Sequence, residues 1–163
     1  MITLYSGTPG SGKSCHQAED IYNFLKYEHG CIIANYPIDE SRFESSFKRG
    51  AIFVSTENDD ICPEHLIKFS KIYFSKHKFK EGKIRLYIDE AQLLFNCREW
   101  DKGNRKDWVK FFTQHRKYGY DIYLIAQFDR MLDRQIRSLI EYEVIHRKLS
   151  NVGTKGKVLS SIG

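Results

Sequence analysis

The chain has 163 residues, 41% hydrophobic and 14% aromatic, with 26 Lys and Arg against 21 Asp and Glu for a formal charge of +5. That length and apolar content suit one globular domain with a continuous core and exclude a disordered or low-complexity chain. The mild positive charge is compatible with a nucleic-acid or acidic-membrane partner and singles out neither, and no apolar run approaches the ~18 residues of a membrane span.

Ile2-Thr3-Leu4-Tyr5 opens the chain as a short strand-forming run. Gly7-Thr8-Pro9-Gly10-Ser11-Gly12-Lys13-Ser14 follows and fits the phosphate-loop pattern G-x-x-x-x-G-K-[S/T] in full. Gly7, Gly10 and Gly12 allow the backbone to curl around a phosphate without a Cβ in the way. The N–H groups of the loop, continuing through Ser14 and Cys15 into a helix N-terminus, then form an anion-binding nest. Lys13 is expected on the β- and γ-phosphates and the Ser14 hydroxyl on Mg²⁺. Gly7 through Cys15 is therefore the expected nucleotide-binding segment.

Ala18, Ile21, Tyr22 and Leu25 recur at helical spacing and predict the buried face of that helix, with Gly30 as its C-cap. Cys31–Asn35 reads as a second buried strand, stopped by Pro37, which has no N–H for a central ladder. Ala51–Val54 is a candidate edge strand. Pro63-Glu64 is a helix-start signal, and Leu66, Phe69 and Tyr73 put one apolar face on a helix running to His77.

Ile84–Ile88 has the form of a central strand, and Asp89-Glu90 stands at its carboxyl end. In an open parallel sheet ligands bind outside the carboxyl ends of the strands, so both acids are expected on the edge that carries the phosphate loop. Asp89 is the expected second Mg²⁺ partner and Glu90 the base that orients and deprotonates an attacking water. Trp100–Lys106 reads as a loop, in which Trp100 beside Lys102 and Arg105 is a candidate for stacking on a nucleic-acid base.

Trp108, Phe111, Phe112 and His115 share a helix face that Gly119 closes. Asp121–Ala126 is a further buried strand. Gln127 at its end is placed to contact a γ-phosphate or the attacking water. Leu132, Ile136, Leu139 and Ile140 line a short helix carrying arginines, Tyr142–Leu149 resumes strand character, and Asn151–Leu159 reads as a hairpin. An arginine from a neighbouring subunit is a frequent partner of the transferring phosphoryl group. Arg116 is the first candidate and Arg134 the second, ahead of Arg130 and Arg137.

Strands alternating with helices predict one α/β domain over residues 1–163, a P-loop NTPase with a mainly parallel sheet flanked by helices on both faces. Its core is expected over 1–149, with a hairpin-like tail over 150–163. The four scattered cysteines form no C-x-x-C pair and, with no signal peptide before the first strand, point to a reducing cytosolic setting. No N/T-K-x-D element is present to read guanine, so ATP is favoured by elimination, with Mg²⁺. A small-molecule P-loop kinase and a nucleotide-dependent scaffold without hydrolysis stand as alternatives to an ATPase.

Together the opening phosphate loop, Asn35-Tyr36-Pro37, Tyr87-Ile88-Asp89-Glu90-Ala91-Gln92, Gln114-His115-Arg116-Lys117 and Ala126-Gln127 resemble the zonular occludens toxin family of filamentous-phage assembly ATPases. The resemblance runs from Met1 to about Leu149. It implies an additional-strand P-loop fold similar to that of DNA-pumping ATPases, and an oligomeric motor that couples ATP hydrolysis to virion assembly or DNA export. Lys13, Ser14, Asp89, Glu90, Gln127 and Arg116 would take the family's roles. Phage assembly or coat proteins and phage single-stranded DNA are the implied partners. The implied location is cytoplasmic, at the host inner membrane, with anchoring through a span that this sequence does not include.

Overall fold

The computed structural model describes residues 1–96 and 102–148. The six strands are β1 (Ile2–Gly7), β2 (Cys31–Ala34), β3 (Ile52–Ser55), β4 (Ile84–Ile88), β5 (Tyr120–Ala126) and β6 (Tyr142–His146). They form one sheet in the order β3-β2-β4-β5-β1-β6, and every pairing is parallel. Parallel neighbours need crossovers, which bring the helices α1 (Lys13–Asn23), α2 (Glu44–Lys48), α3 (Pro63–Lys76), α4 (Lys102–Gln114) and α5 (Arg134–Arg137). Ile52–Ser55 is an edge strand, as its short apolar run predicts.

Alternation along each strand sends side chains to two cores. Ile2, Leu4, Ile84, Leu86, Ile122 and Leu124 pack with Leu66 and Tyr73 of α3 and Trp108, Phe111 and Phe112 of α4. On the other face Tyr5, Ile32, Tyr87, Tyr123 and Ile125 pack with Ile21 of α1 and with Phe24 and Leu25 just after it. The sheet is thus covered on both sides, which is why its central strands are mostly apolar. Arg85 crosses under α1 with its guanidinium 3.8 Å from the Phe24 ring centroid and 3.4 Å from Glu28, tying the first helix to β4.

Four local expectations are corrected. The buried face of the first helix is Gln17 and Ile21, continued by Phe24 and Leu25, while Ala18 and Tyr22 stay exposed. The helix continues as a wider π-type turn over Phe24–Glu28. His29, at φ 47°, ends the helix in place of Gly30. Gly30 is instead required by packing, because a Cβ there would lie 2.1 Å from Phe24 Cζ. Residues from Lys102 onward are helical where a loop is expected up to Lys106, and the last strand stops at His146. Trp100, Cys97 and the expected hairpin over 150–163 lie outside the described residues. No described helix is long and apolar enough to cross a membrane.

Candidate nucleotide-binding site

β5 lies between β1 and β4, so the carboxyl ends of three adjacent strands carry the phosphate loop, Gln127 and Asp89-Glu90. The Gly7 N–H donates to the Gln127 carbonyl oxygen at 3.1 Å, which ties the start of the loop to the end of β5. Gly7, Gly10 and Gly12 all take positive φ (146°, 70° and 95°). At Gly7 any side chain is also excluded by space, since a Cβ would lie 2.3 Å from the His146 carbonyl oxygen of β6. Gly12 caps α1 from the left-handed region with no side-chain bond to the first turn, so the N–H groups there remain available to an anion.

Lys13 Nζ donates to the carbonyl oxygens of Gly7 at 2.5 Å and Thr8 at 3.3 Å. The ammonium is therefore held by the loop's own backbone, where it can exchange carbonyl partners for phosphate oxygens. Thr8 through Ser11 form the bend, closed by the Ser11 N–H on the Thr8 carbonyl at 3.2 Å. Ser14 and Cys15 follow on the first turn of α1 with both side chains exposed.

Ser14 and Asp89 line one cavity of about 470 Å³, which continues along Gln17, Ile21, Tyr22, Tyr36, Ile38 and Phe43. A hydroxyl and a carboxylate facing one space are hard oxygen donors, which fit Mg²⁺ completed by phosphate oxygens and water. Asp89 is fixed through its backbone: its N–H donates to Asn35 Oδ1 at 2.7 Å and its carbonyl accepts from Asn35 Nδ2 at 2.8 Å. Asn35 Nδ2 also reaches Asn58 Oδ1 at 2.8 Å. Next to it the Tyr36 hydroxyl accepts a bond from Gln17 Nε2. Burial, and then the nearby Asp89 carboxylate, holds that phenol well above its ordinary pKa.

Glu90 sits in the left-handed region at φ 47°, ψ 48°, and its N–H donates to Asp89 Oδ1 at 2.9 Å. Its carboxylate is exposed to solvent and accepts a bond from Gln92 Nε2. On the other side of the loop, Gln127 lines a second cavity of about 380 Å³ with Gly7, Thr8, Phe128, His146 and Arg147. His16 Nδ1 lies 3.0 Å from His146 Nε2, and Lys148 Nζ lies 3.4 Å from where a Gly10 Cβ would stand.

Arg116 is not brought to this edge. It precedes β5, at the amino ends of the strands, and its guanidinium is bonded to Glu141. A role for Arg116 is therefore open only toward a neighbouring subunit. Arg137 pairs with Asp129 at 3.5 Å, whereas Arg130 is exposed in the short turn Asp129–Met131 that follows β5. Residue spacing misses Asn35, Gln92, His146 and Lys148 as parts of the site. Asn35 and Gln92 stand inside the quoted family motifs, which is their one signal in the sequence, and the last two carry none.

The chain matches the family model for zonular occludens toxin (Zot) over residues 1–162. The gene 1 protein of Enterobacteria phage fd is 35% identical over 68 residues, covering 41% of this chain and 20% of the phage protein. The gene 1 protein of Escherichia phage If1 is 34% identical over 68 residues, 41% of this chain and 19% of that protein. The match thus spans about a fifth of the length of these curated relatives. Among solved structures, the N-terminal domain of zonular occludens toxin from Neisseria meningitidis superposes with a TM-score of 0.55 at 19% identity, covering 94% of this chain and 78% of that one. The genome packaging NTPase B204 of Sulfolobus turreted icosahedral virus 2, solved with ATP-gammaS, gives 0.63 at 18% identity over 99% and 85%. With the phosphate loop, the inserted β5 and a family match over almost its whole length, this chain belongs to the zonular occludens toxin family.

Proposed function

We propose that the chain is a Mg²⁺-dependent ATPase domain that drives filamentous-phage assembly or DNA extrusion. The observation that carries this reading is the convergence of Lys13, Ser14, Asp89, Glu90 and Gln127 on one edge of a sheet with β5 inserted between β1 and β4. The family match and the phage gene 1 relatives supply the biological setting.

Gly7 through Cys15 would cradle the triphosphate, and Lys13 would turn from the Gly7 and Thr8 carbonyls to the β- and γ-phosphates. Ser14 and Asp89 would hold Mg²⁺, directly or through water, which supplies charge neutralisation between the β- and γ-phosphates. Glu90 would accept a proton from water as its oxygen attacks the γ-phosphorus, and the bond to the ADP oxygen breaks. Gln127 would orient that water or the γ-phosphate. Arg116, on the far edge, would act only on a site in a second copy of the chain. The further partners are phage assembly or coat proteins and phage single-stranded DNA. The domain would face the host cytoplasm, anchored at the inner membrane through a segment outside this sequence.

The cavity beside Ser14 and Asp89 also gives a kinase reading a place for a phosphoryl acceptor. One assay separates the two: phosphate release from labelled Mg-ATP against protein concentration, wild type beside Glu90→Gln. Free phosphate, produced faster than linearly with concentration and lost in the variant, is the expected result. Label transferred to a small metabolite would establish a kinase. ATP binding without turnover at any concentration would favour a scaffold.

A further inference from the structure

The turn after β4 contains two features that oppose stability. Glu90 takes a left-handed backbone conformation that a residue with a Cβ adopts only at a cost. Gln92, two residues on, is buried, and its Oε1 has no hydrogen-bond partner among the described residues. A buried amide oxygen left without a partner is worse for stability than an apolar group of the same shape. Methionine at this position would remove that cost without opening a cavity. The fold itself therefore gives no reason for glutamine here.

Both features meet at one hydrogen bond. The left-handed turn at Glu90, closed by the Leu93 N–H on the Glu90 carbonyl at 2.8 Å, brings the two side chains together. Gln92 Nε2 then donates to Glu90 Oε2. The glutamate is held at both ends, its backbone N–H by Asp89 Oδ1 and its carboxylate by Gln92. Otherwise the exposed carboxylate would sample several rotamers in solvent.

We infer that Gln92 is the positioning residue for Glu90. Its buried amide engages one carboxylate oxygen and leaves the other aimed at the attacking water, a constraint on orientation that a mobile glutamate lacks. The inference rests on the reading of Glu90 as the base. Gln92 itself would touch neither nucleotide nor water.

The test is steady-state turnover of Mg-ATP by the full chain, with fluorescent-ATP affinity and thermal midpoint measured on the same preparations. Gln92→Met, which removes both the donor and the orphan oxygen, is expected to lower kcat about 10- to 100-fold. KM and nucleotide affinity stay within about twofold of wild type, and the thermal midpoint is unchanged or raised. Gln92→Glu keeps the size, loses the donor and is expected to lower kcat as well. A Gln92→Met kcat within about twofold of wild type overturns the inference. So does a loss of turnover that tracks equal losses of affinity and thermal midpoint, because packing alone would then explain it. Glu90→Gln measured alongside separates the two levels. If it is inactive while Gln92→Met is fully active, only the positioning role fails. If Glu90→Gln itself turns over normally, the base assignment fails first.

Discussion

The two edges of the sheet are built from the same strands and differ in how their polar groups are settled. At the amino edge most of the polar groups are paired, Thr3 Oγ1 and Arg85 Nε being exceptions among the described residues. The Met1 ammonium contacts Asp121 at 2.7 Å and His115 Nε2 at 2.8 Å, Arg116 is bonded to Glu141, and Ser70 Oγ donates to the Tyr118 carbonyl at 2.7 Å. At the carboxyl edge Lys13 rests on its own loop, Glu90 is strained, and Ser11 Oγ and Gln92 Oε1 are buried without partners among the described residues. The amino edge is tied together mainly by ion pairs and hydrogen bonds within the fold, and the carboxyl edge less so. Neither strain nor unmet hydrogen-bonding capacity is confined to the carboxyl edge, since His29 also takes φ 47° and Thr3 Oγ1 and Arg85 Nε are also buried without partners among the described residues. What distinguishes the carboxyl edge is that they occur there beside the phosphate loop.

The largest expected effect that sharpens this contrast is on Lys13. Lys13→Ala should weaken nucleotide binding by about 100-fold or more, since it removes a cation from the phosphates, and leave the thermal midpoint nearly unchanged. A titration with a fluorescent ATP analogue and a melting curve check both halves. A lysine that mattered equally to stability would blur the distinction between the edges.

Next is Glu90→Gly, which releases the left-handed strain. It should stabilise the fold by about 0.5–1 kcal/mol, the Cβ clash relieved less the added chain entropy, and abolish turnover. Thermal unfolding beside phosphate release reads the opposition directly. A destabilised variant would mean that the Gln92 bond outweighs the strain.

The smallest effect belongs to the amino edge. His115 Nδ1–H donates to the Phe112 carbonyl at 2.6 Å, and its Nε2 accepts from the Met1 ammonium, so the ring is neutral. Burial is the main reason that its pKa lies below the ordinary 6.5. The unfolded chain then binds this proton more readily than the folded one, so the stability it contributes is complete above about 6.5 and declines as pH falls below that value. Melting curves from neutral to mildly acidic pH should show the decline, and His115→Gln should flatten it. An unchanged slope would remove His115 from the set of groups that settle this edge.

Much of the fold is legible in the residues. Apolar runs of β-branched and aromatic residues mark the strands, and the loop's glycines and Lys13 announce a phosphate site, because these features are local. Other features depend on contacts between distant segments. Gly30 reads as a helix cap until the Phe24 ring is found stacked where its side chain would be. Ala18 and Tyr22 fit an ideal helical stripe, yet the face that packs on the sheet is the adjacent one of Ile21, Phe24 and Leu25, with Gln17 buried beside it. Arg116 lies close in sequence to the strand ending at Gln127, yet β5 is seven residues long and places the two at opposite edges.

The sequence by itself determined the fold class, the phosphate-loop motif and the acids at the end of β4. Strand propensity, helical periodicity and the glycine requirement of a tight anion-binding loop are written into neighbouring residues. Only the tertiary structure decided that β5 inserts between β1 and β4, that Asn35 clamps Asp89, that Gln92 holds Glu90, and that Arg116 faces away. Each of these depends on which strands pair and on where their ends fall, and that is set by the packing of two cores from residues far apart in the chain.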